Sequence, residues 1–252
     1  MKHRELESLL NALLESARFA DYSPNGLQVE GRAEIRRVVV GVSASQAMID
    51  AAAKRGADAL IVHHGFFWKG ENPCIVGYRR QRLATLIVHD LNLFAYHLPL
   101  DAHPELGNNA QWAKAMGWRV CGRFGQQDMG FWGELPEPCR LAELAARLTA
   151  TLGRPPLSIG AEDRRIQHIA WCSGGAQGYI EDVLALTATT DIDAYLSGEI
   201  SEQTPHIAQE NRIAYLACGH HASERFGPQA LALWLQANTD LDCEFIDCPN
   251  PA

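Results

Sequence analysis

Apolar residues return along this chain in two rhythms, and their alternation predicts an α/β fold. Leu6, Leu9, Leu10, Leu13 and Leu14 recur at helical spacing, so residues 5–17 are expected to form an amphipathic helix. Residues 37–42 are a β-branched run and predict a strand, with a helix over 43–53 closed by Gly56. Ala59-Leu60-Ile61-Val62 reads as a buried strand that stops at His63-His64-Gly65. Helices are expected over 81–89 and 105–116, with a strand over 93–96 between them. Strands over 119–124 and 131–135 precede a helix over 142–152. The second half then predicts strands over 166–172, 194–196, 213–218 and 243–246. Helices are expected up to about 186 and over 223–237.

The halves repeat each other in outline. Val39-Val40-Gly41-Val42-Ser43, a helix and Ala59-Leu60-Ile61 match Ile169-Ala170-Trp171-Cys172-Ser173, a helix and Ala194-Tyr195-Leu196. Each half continues to a further strand that ends at a histidine, His97 or His220. Two similar, interlinked lobes of βαβ type with mixed sheets are therefore expected, divided near 125/126 and interleaved, with the chemistry at strand ends. The first lobe would carry His63, His64 and Asp101, and the second His220 and Glu224.

Those residues are metal-seeking. Neutral imidazole is the commonest metal ligand. His220 and Glu224 are four apart and would share one face of a helix. His97 and Asp101 have the same spacing, but Pro99 predicts a loop there. Imidazole and carboxylate together suit two divalent ions among Fe, Mn, Zn and Ni rather than a thiolate-selected metal. Five ligands exceed what one catalytic ion needs and suit a pair sharing a bridge, which Glu224 would supply from a stiff helix. One objection is steric, because neighbours on a strand face opposite ways. His63 and His64 can serve one site only if the strand has broken at His64-Gly65.

Composition narrows the setting. The chain of 252 residues is 47% hydrophobic and 21% charged, with a net charge of −8. That balance does not predict a phosphate-tracking basic surface, although a local basic patch stays open. Seven cysteines without a C-x-x-C pair suit reduced thiols. With no apolar run of membrane length and acid in the first residues, a cytoplasmic protein with no membrane partner is expected. Around the site, Phe66, Phe67 and Trp68 could stack on a purine or pack against another subunit. Lys69, Arg79, Arg80 and Arg82 could steer phosphates or simply be solvated. Trp68 and Lys69 are the candidate substrate contacts, and Glu199 and His97 the candidate catalytic groups beside a water.

Asn25-Gly26-Leu27-Gln28-Val29, Val62-His63-His64-Gly65, His97-Leu98-Pro99-Leu100-Asp101, Gly107-Asn108-Asn109, Ser197-Gly198-Glu199 and Gly219-His220-His221-Ala222-Ser223-Glu224 occur in that order. Together they resemble the GTP cyclohydrolase 1 type 2 family, also called the Ngg-interacting-factor-three-like or domain-of-unknown-function-34 family. The resemblance runs over essentially the whole chain. It implies a two-domain α/β subunit, a ring-shaped homohexamer (a trimer of dimers) and a dinuclear metal centre. The implied ligands are His63, His64, Asp101, His220 and Glu224, with His221 outside the set. The family name implies a hydrolase that opens the guanine imidazole ring of GTP, releasing formate and dihydroneopterin triphosphate. The alternative is a metal-containing ring that binds or regulates partners in DNA-damage tolerance, without that activity. Asp21-Tyr22-Ser23-Pro24 departs from the shorter turn of many members, which bears on local substrate contacts.

Overall fold

The computed structural model describes residues 1–252. The chain begins with α1 (His3–Leu13), β1 (Gly26–Val29), β2 (Arg37–Ser43), α2 (Gln46–Lys54), β3 (Ala59–His64), α3 (Gly77–Val88), β4 (Asn92–Ala95) and α4 (Leu98–Ala102). It continues through α5 (Asn108–Met116), β5 (Arg119–Phe124), β6 (Gly130–Arg140), α6 (Leu141–Leu152), β7 (Leu157–Ile159) and β8 (Arg165–Cys172). The last elements are α7 (Ile180–Leu186), β9 (Ala194–Ser197), α8 (Thr204–Glu210), β10 (Ala214–Ala217), α9 (His220–Ser223), α10 (Phe226–Asn238) and β11 (Asp242–Phe245). None of these helices is long and apolar enough to cross a membrane.

Contacts gather the chain into two units, residues 1–106 with 227–248 and residues 107–226 with 249–252. The first holds a five-stranded sheet in the order β1-β4-β3-β2-β11, parallel except for β1. The second holds a six-stranded sheet in the order β5-β6-β8-β9-β10-β7, parallel only across β8-β9-β10. Two mixed sheets are thus present, as the sequence pattern predicts.

The division differs from 125/126 for a reason visible in the pairing. β5 hydrogen-bonds to β6 and so belongs to the second sheet, while β11 returns to pair with β2 in the first. α10 joins the first unit with β11, and its Leu231 and Leu235 pack with Leu6 and Leu10 of α1.

The first sheet sorts its side chains with period two. Val38, Val40, Ala59, Ile61 and Phe94 face the core shared with α1 and α10. Val39, Leu60, Val62 and Leu93 face Met48, Ile49 and Ala52 of α2 and Leu86 of α3. Covered on both sides, β3 can be apolar throughout, and each of Leu60, Ile61 and Val62 contributes about 1.5–3 kcal/mol by burial.

An aspartate begins the second parallel strand in each sheet and clamps its neighbour. Asp58 Oδ2 accepts the N–H groups of Arg36 and Arg37 at 2.8 and 2.9 Å. Asp193 Oδ2 accepts those of Gln167 and His168 at 2.8 and 2.9 Å.

Three local expectations change. The segment from Leu98 to Ala102 is helical, because proline in the first turn forfeits no helical hydrogen bond. β6 runs past Leu135 to Arg140, with its register shifting between Glu134 and Cys139 to accommodate Pro136 and Pro138. Glu224 lies just beyond the single turn of α9, before α10 begins, and so is not on a long helix.

Candidate metal centre

In the first unit β3 delivers two histidines to the carboxyl end of the sheet. His63 continues the face of Ala59 and Ile61 and is fully buried, whereas His64 continues the opposite face and is half-buried. The strand has not broken, since His64 is still paired with Ser43. Yet the two rings lie 4.5 Å apart between centroids, tilted by 42°. Beyond the Val62–Ala95 pair the β3–β4 ladder ends, but the chain stays close, the Tyr96 N–H donating to the Val62 carbonyl at 2.9 Å and the His97 ring lying 5.1 and 5.7 Å from those of His63 and His64. Gly65 follows the strand at a position where a Cβ would sit 2.2 Å from Gln28 Oε1 and 2.5 Å from the Ala95 Cβ.

Each histidine is held from behind. His63 Nδ1 lies 3.0 Å from the Tyr96 carbonyl, which can only accept, so Nδ1 carries a proton and Nε2 is the ring nitrogen left to face the site. That Nε2 is 3.5 Å from Oδ2 of the buried Asp101 on α4. His64 Nδ1 is 3.1 Å from Ser43 Oγ. His97 Nδ1 is 2.7 Å from Asp21 Oδ1, while Asp21 Oδ2 accepts the N–H of Leu98 at 3.0 Å. Burial opposes the Asp21 charge, but His97, Asn25 and the Tyr22 N–H outweigh it and bring its pKa down from 3.8 to about 2. The Asp21–Asn25 turn therefore anchors His97 and the start of α4, a role that no local pattern announces. His63, His64 and His97 offer ligand atoms within 4.8 Å of one another and could hold a metal ion. Sequence reasoning leaves His97 outside the ligand set.

The second unit builds an imidazole–carboxylate cluster of its own. His220 Nε2 is 3.1 Å from Glu224 Oε2, and its Nδ1 is 2.7 Å from Glu199 Oε1. Burial lowers the pKa of His220, but the two glutamates overcome it and raise it from 6.5 to about 9. Gln177 Nε2 donates to the other Glu199 oxygen at 3.3 Å. Glu224 is buried under Gly174, where a Cβ would come within 1.9 Å of Glu224 Oε1 and 3.3 Å of His220 Nε2. Gly174 also has φ of +64°, so both shape and backbone call for glycine. His221 is buried, and its N–H donates to the Ala252 carbonyl at 3.3 Å.

The donor sets fit a divalent metal. Nitrogen and carboxylate oxygen suit Fe, Mn, Zn or Ni, and the Tyr96, Asp21 and Glu199 contacts orient the rings that would bind. Next to the first cluster, the Trp68 ring meets His97 edge-on at 4.9 Å and lines a cavity of about 260 Å³. Arg79 and Arg82 line that cavity too, whereas Lys69 is exposed and does not.

A family model described as Duf34/NIF3 (NGG1p interacting factor 3) matches residues 1–251. The chain belongs to this family. An Escherichia coli K12 member named GTP cyclohydrolase 1 type 2 homolog is 52% identical over 253 residues, covering 100% of both chains. Among solved structures, protein ybgI, of unknown function, aligns over 100% of both chains with 52% identity and a TM-score of 0.95. TTHA1606 from Thermus thermophilus aligns over 100% of both chains with 35% identity and a TM-score of 0.87. The resemblance drawn from the ordered motifs is therefore correct at the level of the Duf34/NIF3 family, and these relatives carry the mixed α/β fold described above.

Proposed function

We propose that the chain carries a centre for two divalent cations and that the protein is a metal-dependent hydrolase of a nucleotide-like small molecule. His63, His64 and Asp101 would ligate from the first unit and His220 and Glu224 from the second, with Glu224 as the bridge. The observation that carries this reading is His63, a wholly buried imidazole whose Nδ1 is held by the Tyr96 carbonyl and whose Nε2 faces a buried carboxylate. A buried carboxylate beside an imidazole is costly unless a positive charge joins them, and a divalent cation would supply it. When bound, such a pair supplies Lewis acidity and a water acidic enough to attack at neutral pH.

The chain's own residues hold that arrangement. The Tyr96 carbonyl sets the His63 tautomer, and Asp21 and Glu199 fix the His97 and His220 rings. Glu199 is thus a positioning residue for His220, and His97 a wall of the site or a further ligand. The name carried by the Escherichia coli relative supports GTP as the first substrate to test, with ring opening at C8 and loss of formate. We further propose a cytoplasmic homohexamer.

Elemental analysis of gently purified protein should give two ions per chain, and His220→Ala should lower that number. Metal-loaded protein incubated with GTP should release formate, with His220→Ala inactive. Two bound ions without formate would remove the cyclohydrolase reaction and keep the centre. A chain purified with none, and taking up none, would remove both.

A further inference from the structure

The cavity beside Trp68 is built within the first unit, and none of the residues that could hold a metal lines it. Its walls are Phe66, Trp68, Ile75 and Tyr78, closed by the side chains of Arg79 and Arg82. At about 260 Å³ it lies at the small end of ligand cavities, which run from about 300 to 1,000 Å³, and it suits one flat ring system with a small substituent. Two of its faces are aromatic.

The charges are arranged for an anion. Of the three charged side chains lining the cavity, Arg79 is paired with Glu71 at 3.2 Å and also donates to the Asn72 carbonyl. Arg82 is left over. Its guanidinium lies over the Tyr78 ring at 5.0 Å, and its Nε is buried with no hydrogen-bond acceptor. An arginine fork stacked on an aromatic ring and short of an acceptor is the arrangement that takes a carboxylate or phosphate. The loop that forms the wall is also held under strain, with Phe67 at φ of +65° in the left-handed region.

We propose that this cavity binds a planar aromatic ring bearing one anionic group, the ring between Trp68 and Tyr78 and the anion on Arg82. The proposal deepens the hydrolase reading by naming the class of ligand. It rests on that reading only for the ring being the one that reacts. Binding itself needs no metal, so it is measured on full-length protein stripped with EDTA.

Calorimetric titration should show binding of GMP, as a phosphate, or of quinoline-2-carboxylate, as a carboxylate. Guanosine and inorganic phosphate alone should bind about tenfold more weakly or worse. Arg82→Met should weaken the anionic probe about tenfold or more and leave guanosine within about twofold. Tyr78→Ala, on an exposed ring that does not hold the fold, should weaken both. Quinoline-2-carboxylate binding without GMP would uphold the cavity and count against a nucleotide substrate. Failure of both anionic probes, or equal affinity in wild type and Arg82→Met, would overturn the proposal whatever the metal content. So would a Tyr78→Ala variant with unchanged probe affinity and a smaller assembly by light scattering, since the cavity would then seat a second copy of the chain.

Discussion

Replacing Asp21 by asparagine tests whether a remote turn holds the histidine cluster. The carboxylate accepts four hydrogen bonds. Oδ1 takes the Tyr22 N–H at 2.6 Å and His97 Nδ1 at 2.7 Å, and Oδ2 takes Asn25 Nδ2 at 2.9 Å and the Leu98 N–H at 3.0 Å. An asparagine must turn its NH₂ toward one of these donor pairs, leaving two donors facing a third. The magnitude follows from the fall of the Asp21 pKa from 3.8 to about 2. At about 1.36 kcal/mol per pH unit this is at most about 2.4 kcal/mol, and about 1–2 kcal/mol once solvent screening is allowed for. Because the folded pKa is the depressed one, this stability is complete above 3.8 and is lost as pH falls toward 2. Thermal unfolding of metal-free wild type and Asp21→Asn should differ by about 3–8 °C at pH 7. By pH 3 roughly half of that gap should remain. A gap that stays constant from pH 7 to pH 3, or none at pH 7, would refute the reasoning.

Glu199→Gln removes the carboxylate behind His220. Above pH 9, where the imidazole is neutral in both proteins, its affinity for zinc in chelator competition should fall about 10- to 100-fold. Below pH 9 the wild type should lose affinity with falling pH, because His220 must give up a proton to bind, and the variant should lose it less steeply. Gly174→Ala drives a methyl against Glu224 Oε1 and strains a positive-φ backbone, so bound metal per chain should drop sharply while far-ultraviolet circular dichroism keeps the α/β signature. Asp58→Ala and Asp193→Ala each orphan two backbone donors, and urea denaturation should show a loss of about 2–4 kcal/mol. Asp58 should cost the more, since it also accepts Arg32 Nη1 at 2.9 Å.

Much of this is legible in the sequence because burial writes itself into local pattern. The run before His63 reads as an inner strand, and that strand ends at His64, where the sequence stops it at His63-His64-Gly65. What stays hidden depends on partners distant in the chain. α4 carries a proline and reads as loop, yet its start is held by Asp21 and Asn25, more than seventy positions earlier. β7 has three residues and no periodicity to detect, and it exists because β10 offers it an edge. α8 escapes the pattern because Pro205 sits in its first turn, where proline is tolerated. The unit boundary falls elsewhere because β11 pairs with β2, a choice no local window contains.

The register of the two sheets shows what the repeat has kept and what it has changed. Ala59 pairs beside Val38 as Ala194 pairs beside Ile169, with the aspartate clamp one residue earlier in both. Counting forward from those pairs, His64 and Glu199 occupy the same position, at or just past the end of the second parallel strand. One is an imidazole that faces its neighbours His63 and His97, and the other is a carboxylate that orients His220. The third parallel strands, β4 and β10, each hand over to a single turn of helix with a buried carboxylate at or just past its end, Asp101 and Glu224. Both sheets therefore keep the geometry of a strand-end site, the clamp and the carboxylate. They differ in whether the adjoining strand end supplies a donor or the group that orients one. A His64→Glu exchange puts a carboxylate where the second sheet carries Glu199, so it should be tolerated by the fold while lowering metal uptake by the group that holds His63, His64 and His97. Unaltered thermal unfolding with bound metal per chain reduced is the outcome that this shared register requires.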